Sequence, residues 1–163
     1  MAQTFKPSKV DRYWRQFQES LPSGAPRKTK PDWVFSFGSK QHAPELADLV
    51  LRGTKTSTAS LKWEYDAKGK RIPRVGDLSV ITDGAGNPMC VIENTETRVL
   101  PLDEVDAAFA FEGGEGDRTL AGWRRMYWDY IVSECARLGR EPNLTAPLVC
   151  ERFRVRYREP LAP

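Results

Sequence analysis

The chain has 163 residues, of which 40% are hydrophobic, 10% aromatic and 29% charged; these are globular values rather than those of a disordered or membrane chain. No apolar run approaches the ~20 residues of a spanning helix, and residues 1–9 have no signal-peptide stretch, so one cytoplasmic domain is expected. A net charge of +3 is too small to imply nucleic acid by itself, although Lys6, Lys9, Arg12, Arg15, Arg27, Lys28 and Lys30 make one end basic and Arg152, Arg154, Arg156 and Arg158 the other.

Ser8 as N-cap, followed by Val10, Trp14, Phe17 and Leu21 at helical spacing, predicts an amphipathic helix over residues 9–20. Residues 21–31, with Pro22, Gly24, Pro26 and Pro31, read as a strap, so residues 1–31 are an appendage and residues 32–159 the main domain. Trp33 to Phe37 reads as a strand, and Pro44 to Gly53 as a short helix and its stop. Thr54 to Leu61 is β-branched and strand-like, and Asp66 to Arg71 a polar loop. Leu78 to Thr82, the turn Asp83 to Asn87 and Met89 to Val99 form a hairpin. Asp103 to Phe111 is a short helical piece, Glu112 to Asp117 a flexible acidic loop, and Leu120 to Leu138 a long helix stopped by Gly139. Leu148 to Tyr157 closes the chain as a strand. Trp128 on the long helix is expected to pack against Trp14 and Phe17 of the first helix. Cys90, Cys135 and Cys150, odd in number and widely spaced, read as reduced core thiols.

Three constellations can carry chemistry. In the first, a glycine stop passes Lys55 into a strand whose period-2 alternation puts Thr56, Thr58 and Ser60 on one face and Ser57, Ala59 and Leu61 on the other. A lysine there can hold a phosphate or, if burial lowers its pKa, serve as a base; a helix stop and an edge strand explain the same residues. In the second, glycines let Glu112, Glu115 or Asp117 swing toward a bound group, while Asp117 or Thr119 caps the long helix. An acidic cap complementing the helix dipole explains it equally. In the third, Arg152, Arg154, Arg156 and Arg158 share one strand face at about 7 Å intervals, near the phosphate spacing of a single strand; pairing with Glu93 and Glu96 accounts for them as well. His42 is the only histidine, which excludes two-histidine acid–base schemes and multi-histidine metal sites.

Taken in order, Gly53-Thr54-Lys55-Thr56-Ser57-Thr58, Val75-Gly76-Asp77, Cys90-Val91-Ile92-Glu93, and Glu115-Gly116-Asp117-Arg118-Thr119-Leu120 with Trp123-Arg124 resemble the bacterial ASCH-domain proteins. The resemblance implies an α+β fold, a PUA-like mixed β-barrel with inserted helices and, here, an N-terminal appended helix. It implies RNA binding or processing, foremost as a single-strand ribonuclease working through a Lys/Thr/Glu cleft. The alternatives are an amidohydrolase that deacetylates acetylated cytidine and a non-catalytic RNA-binding module; an adaptor docking through the first helix is a third class.

Carried over by position, the resemblance places the catalytic roles on Lys55, Thr58 and Glu115. Contacts to RNA fall on Thr56, Ser60, Asp117, Arg118, Thr119, Arg124, Arg152, Arg154 and Arg156, with Ser60 standing where a basic residue often closes the motif. Lys55 assists deprotonation of the nucleophile, Thr58 orients it and Glu115 passes the proton to the leaving group. The expected partner is single-stranded RNA or a modified nucleoside, with no membrane and no DNA specificity; no cofactor is predicted and a divalent metal is left unassigned. Lys55 is expected partly buried, and replacing Lys55, Thr58 or Glu115 should change stability by no more than about 0.5 kcal/mol if the site is surface-like.

Overall fold

The computed structural model describes residues 7–159; Lys6 lies outside them. Ten helices and strands, with one short 3₁₀ turn, occupy the described chain. Five strands, β1 (Trp33–Phe35), β2 (Ser57–Leu61), β3 (Leu78–Thr82), β4 (Pro88–Pro101) and β5 (Pro147–Tyr157), are hydrogen-bonded in the order β1-β3-β4-β5-β2, which is not their order along the chain. The described chain divides into two compact units, one of residues 7–51, 77–93 and 155–159, the other of residues 52–76 and 94–154.

In the first unit, α1 (Lys9–Ser20) starts with a capping box: Ser8 Oγ accepts the Asp11 N–H at 3.1 Å and Asp11 Oδ2 accepts the Ser8 N–H at 3.0 Å. Its buried face, Tyr13, Trp14 and Phe17, packs with Val80, Val91 and Tyr157, and the Trp14 indole N–H donates to Lys28 O, tying down the strap. β1 (Trp33–Phe35), α2 (Ala43–Leu51) and β3 (Leu78–Thr82) follow. β1 pairs with β3 in parallel, Trp33 opposite Ser79, and β3 pairs antiparallel with the first half of β4 (Pro88–Pro101), Leu78 opposite Glu93. Asp83 Oδ1 closes the hairpin by accepting from Ala85 and Asn87.

The second unit is built on β2 (Ser57–Leu61) paired antiparallel with β5 (Pro147–Tyr157), Ser57 opposite Arg152 and Leu61 opposite Leu148. α3 (Lys62–Ala67) leaves β2 directly, where the sequence suggested a loop from Asp66; its N-cap, Leu61, makes no side-chain cap bond, so no capping signal marks it. It is held instead by the Tyr130 hydroxyl, which donates to Glu64 at 2.5 Å while accepting the Leu61 N–H at 3.0 Å. α4 (Ala107–Glu112) and α5 (Leu120–Leu138) complete the unit, α5 running from the Thr119 cap to Gly139 in the left-handed region at φ 68°. Trp123, Tyr127, Ile131 and Cys135 of α5 pack with Ala59, Leu61, Phe109, Leu148 and Cys150, and each fully buried aliphatic side chain contributes about 1.5–3 kcal/mol.

Trp128 packs against this second core, with Tyr127 and Ile131, whereas Trp14 and Phe17 belong to the cluster of Val80 and Val91. The expected pairing of Trp128 with α1 is therefore corrected: the α1 face is filled by strand residues, because Val80 and Val91 offer it an apolar sheet surface. All three cysteines are free and buried.

Candidate active site

Lys55 stands two residues before β2 and is only 2% exposed. Its Nζ donates to Ser57 O at 2.9 Å, to Gly113 O at 3.2 Å and to Glu115 Oε2 at 2.9 Å. An ammonium has three N–H donors, and this environment supplies three acceptors. Burial pulls the Lys55 pKa below its ordinary value, and the Glu115 carboxylate opposes that pull. Lys55 is thus more deeply enclosed than the sequence suggested, and the expectation that it can be removed at little cost is corrected. Removing it leaves two buried carbonyls and a carboxylate unpartnered, a loss of several kcal/mol.

The acidic loop is fastened rather than free to swing. Thr56 N–H donates to Glu112 O at 2.8 Å, and Arg118 donates to Phe111 O at 2.9 Å and to Thr54 O at 3.3 Å. Each acid has its own assignment. Glu115 meets Lys55, Glu112 meets Arg152 at 2.6 Å, and Asp117 Oδ1 accepts from Thr119 N–H and Oγ1 at 2.9 and 2.7 Å. Gly114 is required: at φ 73°, a Cβ there would fall 2.7 Å from Thr54 O and 3.0 Å from Lys55 Cα. That close approach brings the Gly113 carbonyl and the Glu115 side chain to Lys55.

Thr58 alternates with the buried Ser57 and Ala59 and is half-buried. The Tyr127 hydroxyl accepts the Ala59 N–H at 3.2 Å, and the Thr58 side chain is near enough to act on it electrostatically. Burial, reinforced by the nearby Glu115 charge, raises the Tyr127 pKa far above its ordinary value, so the phenol stays neutral. Tyr127 was legible only as part of the apolar face of α5. Its periodicity places the ring, and nothing in the sequence says where the hydroxyl ends.

The remaining site residues divide by partner. Thr56 is tied through its backbone, its carbonyl accepting the Phe153 N–H at 3.1 Å, and Ser60 Oγ shares a 2.8 Å hydrogen bond with the Tyr65 hydroxyl. Thr119 caps α5 by accepting the Gly122 N–H. Arg124 donates to the carbonyls of Asp103 and Val105 at 2.8 and 3.0 Å. Arg152 lies over the Phe109 ring and pairs with Glu96 as well as Glu112. Arg154 is exposed, and Arg156 pairs with Glu93 at 2.8 Å. The cross-strand pairing with Glu93 and Glu96 weighed from the sequence is therefore present for two of the arginines. His42 is exposed. Among the described residues no group of three or more His, Cys, Asp or Glu is placed to hold a metal ion, and no helix is long and apolar enough to cross a membrane.

The ASCH domain family model matches residues 33–157. The crystal structure of an ASCH domain from Lactobacillus crispatus JV V101 is 33% identical, with a TM-score of 0.84 over 92% of this chain and 95% of that one. A protein of Enterococcus faecalis V583 is 26% identical, with a TM-score of 0.80 over 90% of this chain and 87% of that one. No curated protein matches. The matched span takes in β1 through the last residue of β5, with Lys55, Thr58 and Glu115 inside it: the chain belongs to the ASCH domain family, with its α+β, PUA-like fold.

Proposed function

We propose that this chain is a cytoplasmic hydrolase of nucleosides or RNA, that Lys55, Thr58 and Glu115 carry the reaction, and that its first activity is cleavage of an acyl amide on a nucleobase, as in acetylated cytidine. The observation behind this reading is the 2.9 Å contact between a fully buried Lys55 ammonium and Glu115. Lys55 already spends its donors on three acceptors, so it is poorly placed to grip a phosphate and well placed to fix a carboxylate. In this reading Glu115 takes a proton from water as the water oxygen bonds to the amide carbon. Thr58, oriented by Tyr127, aligns that water. Lys55 holds Glu115 in place throughout, and Glu115 returns the proton to the amide nitrogen as the C–N bond breaks, releasing the free amine and the carboxylic acid.

A second reading, cleavage of single-stranded RNA by the neighbouring 2′-hydroxyl, draws on Arg118, a half-buried cation joined to the Thr54 carbonyl beside Lys55. The pairing of Arg152 and Arg156 with carboxylates favours the small substrate over an extended strand. Incubating the protein with acetylated cytidine and with a single-stranded oligoribonucleotide separates the readings. Release of acetate supports the first and strand scission the second; binding of the oligonucleotide without turnover supports a recognition module instead.

A further inference from the structure

Arg118 is the one non-glycine residue with positive φ among the described residues, at 61°. A left-handed backbone at such a residue is strained and persists only where the surroundings impose it. Here the guanidinium is fixed by donating to Phe111 O and Thr54 O, and it lies over the Phe111 ring, 3.6 Å from the centroid. Phe111 is nevertheless 54% exposed. An aromatic ring at the surface, with a guanidinium stacked on it, is the kind of platform on which nucleobases stack. Its place in the fold matters as much as its chemistry. Phe111 precedes Glu112, whose carbonyl receives the Thr56 N–H, and Arg118 is bonded to the residue before Lys55. Both halves of the stack are anchored to the segment that carries Lys55.

We propose that Phe111 and Arg118 form a stacking site for the nucleobase of the substrate, and that Phe111 sets the preference for an aromatic base. This rests on the reading of Lys55 and Glu115 as the reacting pair, since the stacked base would present its acyl or sugar–phosphate group to them. The ring is exposed, so replacing it leaves the core intact.

The test compares Phe111→Ala, Phe111→Leu and Phe111→Trp with the parent. Equilibrium binding of cytidine and of oligouridylate is measured alongside turnover of acetylated cytidine. The alanine and leucine variants should both bind cytidine roughly tenfold or more weakly, the usual loss when one stacking partner is removed. The loss should fall on KM rather than on kcat, and the tryptophan variant should bind at least as well as the parent, with its fluorescence quenched by the base. Weakening confined to oligouridylate assigns the platform to an RNA chain; weakening for cytidine as well assigns it to a free nucleoside. If Phe111→Leu binds as the parent does, if no variant differs from the parent, or if the parent binds neither probe, the stacking site is overturned. A parent that binds cytidine through Phe111 but hydrolyses nothing keeps the platform and removes the hydrolase reading, so the two fail separately.

Discussion

Gly114 passes so close to Thr54 that a methyl group on its Cα would fall 2.7 Å from the Thr54 carbonyl oxygen. Gly116, two residues on, has a similar positive φ of 63° and nothing within 4 Å. Gly114→Ala should therefore lower stability by more than Gly116→Ala, which bears only the backbone strain of about 1–3 kcal/mol. It should also lower turnover, by lifting Glu115 away from Lys55. Urea unfolding and a rate assay on both variants check this; equal stability losses would contradict the close approach.

Tyr127→Phe keeps the stacked ring, 4.1 Å from Trp123 between centroids, and deletes only the hydroxyl. The buried Ala59 N–H then loses its acceptor, at a cost of about 1–3 kcal/mol. Thr58 loses its polar neighbour, and turnover should fall about tenfold or more through misalignment. A variant that is less stable but turns over at the parent rate would make Tyr127 structural only.

The pH dependence of stability should carry a Lys55 signature. Its folded-state pKa is lowered by burial, whereas in the unfolded chain it returns to about 10.4. Between those values the unfolded chain binds more protons, so this group makes stability rise with pH across that window. Glu115→Gln removes the opposing charge and should extend the window to lower pH. The measurement is the urea midpoint between pH 7 and 10 for the parent minus that for Lys55→Met; a difference that stays flat would contradict the enclosed ammonium.

Phe17 is 1% exposed, within the cluster of Trp14, Val80 and Val91. Phe17→Ala should cost about 3–5 kcal/mol, as expected of a core helix and not of a docking arm. A change below about 1 kcal/mol would revive the adaptor reading.

The parts of the fold that were legible in the sequence are those with a local cause. Ser8 marks the start of α1 as its N-cap, Gly139 marks the end of α5, and Asp83 with Asn87 marks the hairpin. α3 lacked such a cause: it has six residues and no side-chain cap, and it is held by Tyr130 and by Arg140 lying over Trp63. Both come from distant parts of the chain. For Trp128 the sequence offered only a large aromatic side chain that needs cover, which does not say which core provides it. The candidate site divides the same way. Lys55 and the hydroxyl strand stood out locally, but Lys55 and Glu115 are 60 positions apart, and choosing Glu115 over Glu112 and Asp117 depended on the family resemblance. In the structure Glu115 meets Lys55, Glu112 meets Arg152 and Asp117 meets Thr119.

The most direct measurement is turnover of acetylated cytidine by Glu115→Gln beside the parent, with urea unfolding of both. The amide keeps an oxygen to accept from Lys55 but cannot carry the proton, so the variant should stay folded and lose about a hundredfold to ten-thousandfold in kcat. A folded Glu115→Gln protein that releases acetate at the parent rate would contradict the assignment of Lys55 and Glu115 as the reacting pair.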